Sequence, residues 1–153
     1  MIDAEKKSGR YERVYDQLLD LLDSNHDRVA AMATIVAILH HKFKYFFWTG
    51  FYLLTDGELI VGPYQGSLAC IKLKKDTGVC WAGINRKRTV VVPNVHEFPG
   101  HIACDSRSNS EIVVPLRDKT GKITGVLDVD STEFNAFDEA DKEGLERIVA
   151  LLS

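Results

Sequence analysis

The sequence predicts an α+β fold, a central antiparallel sheet of about six strands packed against N- and C-terminal helices. Three observations carry this prediction. Helical periodicity occupies both ends of the chain. Strand periodicity occupies the middle, and consecutive strands are joined by turns too short for parallel crossovers. No GxGxxG or P-loop pattern is present, so a nucleotide-binding βαβ fold has no support.

The elements follow in order. Tyr11, Val14, Tyr15, Leu18, Leu19 and Leu22 recur at i, i+3, i+4 and i+7, the stripe of an amphipathic helix. Ser24–Asp27 reads as a break, with Asp27 as N-cap of a second helix. That helix carries Val29, Met32, Ala33, Val36 and Leu39 on one face. Phe47–Leu54 is aromatic and strand-like, and Asp56-Gly57 turns it into a return strand, Glu58–Gln65. A third strand is expected near Leu68–Leu73. Gly78 precedes a short helix reaching Arg88, and Thr89–Val92 is a short β-branched strand. Pro93–Ser110 is a long irregular stretch, of the kind that is functional or disordered in a small domain. Ile112–Leu116 and Ile123–Asp130 form a last hairpin around Asp118–Gly121. Phe137 and Asp138 then open a closing helix with Leu145, Ile148, Val149 and Leu152 as its stripe.

Composition narrows the function classes. The 153 residues suit one domain, 1–153, with 45% hydrophobic and 27% charged residues. The formal net charge of −3 argues against a nucleic-acid partner, which favours a basic excess. No apolar run approaches the roughly 20 residues of a membrane span. Met1–Arg10 lacks an apolar h-region, so no secretory signal is expected and a reducing cytoplasm is the expected setting. The three cysteines, Cys70, Cys80 and Cys104, form no CxxC and no disulfide framework. The five histidines, His26, His40, His41, His96 and His101, do not stand at metal-ligand spacing with them.

Several residues carry chemical potential, each with a plainer alternative. Asp128 and Asp130 alternate with Leu127 and Val129, so both carboxylates share one strand face. They are either solvated acids or a site for a cation or shared proton. Trp48 and Tyr52 flank Gly50 about 13 Å apart along the strand, as core aromatics or as two walls of a gap. Glu111 opens the strand after the long loop and can join the aspartates across the hairpin. Three such carboxyls cannot all ionise cheaply, which leaves one as a proton donor. Cys104 lies in the loop with His101, Ser106 and Arg107, where positive charge and N–H donors favour thiolate. Cys80 sits near a helix N-terminus, whose dipole also favours thiolate. Cys70 lies in the expected third strand and reads most simply as core.

Taken together, these residues resemble a known family. Phe47-Trp-Thr-Gly-Phe-Tyr-Leu53, Gly62-Pro-Tyr-Gln-Gly66, Ala69-Cys70, Gly78-Val-Cys80, Val95-His96, Gly100-His-Ile-Ala-Cys-Asp105, Ser110-Glu-Ile112 and Gly125-Val-Leu-Asp-Val-Asp-Ser131 closely resemble the free methionine-(R)-sulfoxide reductases. These are single-domain enzymes of the GAF fold, and the three cysteines fall at the family's spacing. The resemblance implies a GAF-like domain that reduces free L-methionine (R)-sulfoxide to methionine. It implies Cys104 as nucleophile, forming a sulfenic acid, and Cys70 as the resolving thiol that condenses with it to a disulfide. Cys80 is implied as an auxiliary or alternative resolving thiol, and a thioredoxin-like dithiol as the recycling reductant. Glu111, Asp128 and Asp130 match the family's polar substrate site, and Trp48 and Tyr52 its aromatic walls. No metal or organic cofactor is implied, and a homodimer is expected. The chain departs from the family pattern at Trp81, where a glycine is usual.

Two other readings compete. A GAF module of this kind can bind a small ligand or sense redox state without catalysis. A Cys104–His101 hydrolase is the other, although no third orienting group is evident.

Overall fold

In a computed structural model, residues 2–22, 27–101 and 104–153 are described. The expected break at Ser24–His26 lies outside them. The order is α1 (Ala4–Leu21), α2 (Arg28–Lys42), β1 (Trp48–Thr55), β2 (Glu58–Gln65), β3 (Lys72–Leu73), α3 (Gly78–Arg86), β4 (Val90–Val92), β5 (Ser110–Arg117), β6 (Ile123–Ser131) and α4 (Glu139–Val149). One 3₁₀ turn, Val95–Glu97, interrupts the long loop, and another, Ala150–Leu152, follows α4. All six strands join one antiparallel sheet in the order β3-β2-β1-β6-β5-β4. Both ends of the chain thus pack around a sheet whose centre is β1 and β6.

Local chemistry sets the boundaries. Asp3, Asp27 and Asp138 each accept a backbone N–H of the helix they precede, satisfying donors that the first turn leaves orphaned. Asp138 also forms a capping box with Asp141. Asp56 and Gly57 both take positive φ, 52° and 80°, so their turn matches the twist of the flanking strands.

Side chains alternate along β1, β5 and β6, and the sheet buries both faces. One face carries Phe51, Ile112, Val114, Leu116, Leu127 and Val129 under α1, α2 and α4. The other carries Trp48, Tyr52, Leu59, Val113 and Val126 under α3 and the loops. Leu127 and Val129 therefore point to the helical core, and Asp128 points the opposite way.

Three expectations need correction. On α2 the buried stripe is Ala31, Met32, Ile35, Val36 and Leu39, while Val29 is 62% exposed and Ala33 also faces solvent. The helix is apolar on more than one side, so its docking on the sheet, not its own pattern, selects the face. On α1, Leu19 is exposed for the same reason. The third strand is only Lys72–Leu73, and Cys70 lies before it in a loop, outside the core. The carbonyls of Ser67 and Cys70 accept from Trp48 Nε1 and Tyr52 Oη, both at 3.0 Å, instead of entering the ladder.

The long loop is tied at its end. Val95 N–H donates to the Asn109 carbonyl (2.9 Å), Asn109 N–H to Ser131 (2.8 Å) and Ser110 Oγ to Glu133 (2.6 Å). Among the described residues no helix is long and apolar enough to cross a membrane.

Candidate active site

The ladder register places the acidic residues. Glu111 pairs with Asp130 across β5 and β6, and Asp128 faces Val113 on one side and Gly50 on the other. Trp48 is the other neighbour of Asp130. With α3 packed above, these side chains line a cavity of about 240 Å³. Trp48, Tyr52, Cys70, Cys80, Cys104, Glu111, Asp128 and Asp130 all border it.

Burial controls the acids. Glu111 and Asp128 are each 5% exposed. Burial, and then the charge of Asp128, pushes the Glu111 and Asp130 carboxyls well above the ordinary carboxylate range. Burial raises Asp128 too, but hydrogen bonds from Glu111 and Cys80 oppose this. Asp128 is therefore the least raised of the three, and Glu111 and Asp130 are the more ready to keep a proton. Among the described residues Asp128 Oδ1 is buried with no hydrogen-bond partner, which suits it to meet a ligand.

Cys80 departs from its expectation. Its thiol is fully enclosed, and burial followed by the charges of Asp128, Glu111 and Asp130 pushes its pKa well up. The helix dipole does not overcome this, so the group is a thiol. Cys80 Sγ and oxygens of Glu111 and Asp128 lie within 4.8 Å of one another, near enough to share a metal ion. Burial raises the pKa of all three, which disfavours the anions that a metal needs.

The aromatic residues also sit differently than expected. Trp48 and Tyr52 do not stand 13 Å apart as two walls. Their rings stack with centroids 5.7 Å apart, and Tyr64 adds a third ring 5.3 Å from Trp48. The indole lies over Gly50, where an added Cβ would meet Trp48 Cη2 at 2.5 Å. The three rings form one stack, of which Trp48 and Tyr52 line the cavity. Tyr64 escapes a sequence reading because counting from the Asp56-Gly57 turn puts Pro63 opposite Gly50. A register shift between Gly50 and Tyr52 puts Tyr64 there instead.

At the cavity mouth Cys70 and Cys104 form a disulfide, with Cα atoms 5.7 Å apart and a sequence separation of 34. Cys104 is exposed and Cys70 half-buried. The basic surroundings expected for Cys104 are weaker than the sequence suggests. Arg107 grips Asp105 through Nε (3.0 Å) and a terminal nitrogen (2.7 Å), and lies over the Phe47 ring. Asp105 is held low by that guanidinium, so the pair is close to neutral overall. Burial lowers His101, which stays uncharged at neutral pH.

The GAF domain family matches residues 25–153, and the sheet order and flanking helices define a GAF-domain protein. The chain is 45% identical over 152 residues to GAF domain-containing protein A of Dictyostelium discoideum, covering 99% of this chain and 95% of that one. It is 45% identical over 124 residues to the free methionine-R-sulfoxide reductase of Escherichia coli (strain K12), covering 81% of this chain and 74% of that protein. An X-ray structure of free methionine-R-sulfoxide reductase from Neisseria meningitidis in complex with its substrate is similar at a TM-score of 0.90. It shares 40% identity and covers 99% of this chain and 89% of its own. The chain belongs to the free methionine-R-sulfoxide reductase family of GAF proteins.

Proposed function

We propose that this chain, acting as a single GAF unit, reduces free L-methionine (R)-sulfoxide to L-methionine. One observation carries the reading: a disulfide at the mouth of a cavity whose wall holds three carboxyl groups, two of them pushed by burial well above the ordinary carboxylate range. A sulfoxide needs a thiol to attack its sulfur, an acid for its oxygen and a surface for its methyl group.

In the reduced form the Cys104 thiolate attacks the sulfoxide sulfur. The oxygen is protonated by the carboxyl cluster, and methionine leaves as the thioether. Cys104 gains the oxygen as a sulfenic acid. The Cys70 thiol then attacks the Cys104 sulfur, water leaves and the disulfide forms. A dithiol of the thioredoxin type returns both thiols by exchange. Asp128, the least raised of the three, is suited to the substrate ammonium, and Glu111 or Asp130 to protonating the oxygen. Loop amides near Cys104 are partners for the substrate carboxylate. The ring stack of Trp48 and Tyr52 holds the methyl group by dispersion. Cys80, a buried thiol beside Asp128, is assigned to the cavity wall, with an auxiliary resolving role as the alternative. The chemistry suits a reducing compartment such as the cytoplasm, and a homodimer testable by sedimentation.

The test is turnover of three substrates with dithiothreitol and with a thioredoxin system. Free (R)-sulfoxide is expected to be reduced, and the (S) epimer and a peptide-bound sulfoxide are not. Absence of turnover with the free (R) form sinks the reading. Cys104→Ser abolishes reduction with either reductant. Cys70→Ser keeps a single turnover but loses thioredoxin-driven cycling; retained cycling would move the resolving role to Cys80.

A further inference from the structure

We infer that Leu68 and Ile71 are the landing surface for the dithiol protein that reduces the Cys70–Cys104 disulfide. The inference rests on the reductase reading above and adds the site of partner recognition. Leu68 is 85% exposed and Ile71 73%, more than any other large hydrophobic among the described residues. They flank Cys70 on the same short segment, beside a disulfide whose Cys104 end is open to solvent. Exposed apolar side chains in such a place point to contact with another surface.

The segment that carries them is held in shape. Trp48 Nε1 donates to the Ser67 carbonyl at 3.0 Å, and Tyr52 Oη to the Cys70 carbonyl at 3.0 Å. Val61 N–H donates to the Ile71 carbonyl at 2.8 Å. The carbonyls are tied to the sheet and leave the two side chains facing out. A partner therefore meets a surface that loses little conformational freedom on binding. The strip continues into exposed Lys72, Lys74 and Lys75, with Lys72 near Glu58 at 3.4 Å. An apolar dithiol surface with an acidic edge complements it.

The occupant follows from the chemistry. One partner thiolate attacks a sulfur of the disulfide, the S–S bond breaks, and the released sulfur takes a proton. The second partner thiol then attacks the mixed disulfide and frees the other cysteine. Two electrons and two protons pass to Cys70 and Cys104, and the partner leaves as a disulfide. Attack requires the partner's surface to press against the chain around the sulfurs, and Leu68 and Ile71 are the exposed apolar side chains of the Cys70 segment.

The experiment compares wild type with Ile71→Asp and Lys75→Glu, neither of which borders the cavity. Reduction of the isolated disulfide by thioredoxin is followed by counting free thiols, without any sulfoxide, and sulfoxide turnover is followed separately. For Ile71→Asp, kcat/KM toward thioredoxin is expected to fall at least 10-fold, with the dithiothreitol-driven rate within twofold of wild type. Lys75→Glu should weaken the salt dependence of the thioredoxin reaction. An unchanged thioredoxin rate for Ile71→Asp overturns the inference, as does an equal loss with dithiothreitol. Sedimentation that shows Ile71→Asp turning a dimer into monomers also overturns it, because the face would belong to a second copy. A wild type that exchanges with thioredoxin but reduces no sulfoxide would sink the reductase reading and leave the landing surface standing.

Discussion

At the scale of single residues the controlling fact is the charge state of three carboxyls. Glu111 and Asp130 have folded pKa values well above those of the unfolded chain, where carboxyls ionise near pH 4. Between those two values the folded chain binds more protons than the unfolded one. Stability is therefore greatest at the acid end of that window and declines as pH rises through the folded pKa. Glu111→Gln is expected to flatten the fall of melting temperature as pH rises above the unfolded carboxyl value, as thermal melts across a pH series would register. If Glu111 is the proton donor, the same change lowers kcat by about 100-fold or more; an unchanged kcat removes it from the chemistry. The acids could be named from sequence because strand alternation puts Asp128 and Asp130 on one face. Which of them ionises first could not, because that depends on the Glu111 and Cys80 hydrogen bonds, which span three elements.

At the scale of elements, β1 shows how a glycine serves a pocket. Gly50 faces Asp128 and Tyr64 across the ladders, and the Trp48 indole occupies the space above it. A methyl group there collides with the indole and with Tyr64 Cβ. Gly50→Ala is expected to push Trp48 off the ring stack and lower kcat/KM for the sulfoxide by at least 10-fold, with a shift in tryptophan fluorescence. Wild-type kinetics with an unshifted spectrum would refute this role. The Trp48–Tyr52 pair was legible from spacing along the strand, but its geometry was not. Backbone rise fixes where side chains start, whereas χ angles and the register shift at Pro63 decide where the rings end. The α2 face was likewise mis-phased, because an apolar helix takes its buried side from the surface it docks on.

At the scale of the whole molecule, one sheet separates two jobs. The helical face carries a buried clasp between the two ends of the chain. Lys7, 2% exposed, donates to Asp141 Oδ2 at 2.7 Å and to the Ala136 carbonyl at 2.9 Å, while Tyr11 and Tyr45 donate to Asp141 Oδ1. Asp138 adds a second carboxylate at 3.3 Å. Lys7→Met removes the cation and leaves Asp141 buried, at an expected cost of about 3–5 kcal/mol. Urea unfolding measures that loss. The folded fraction should keep wild-type sulfoxide kinetics, because the cavity lies on the other face. A loss below about 1 kcal/mol would mean that the pair behaves like a solvent-exposed one.

Local pattern alone determined the element order, the antiparallel hairpins, the helix caps and the alternation that gathers the acids. Each depends on near neighbours, through turn chemistry and the 2.0 and 3.6 residue periods. The Cys70–Cys104 disulfide joins residues 34 apart, the Tyr52–Trp48–Tyr64 stack crosses two strands, and the Lys7–Asp141 clasp ties the first helix to the last. Only the tertiary structure decided these, because distances across the sheet follow from packing and register, and no local period encodes them.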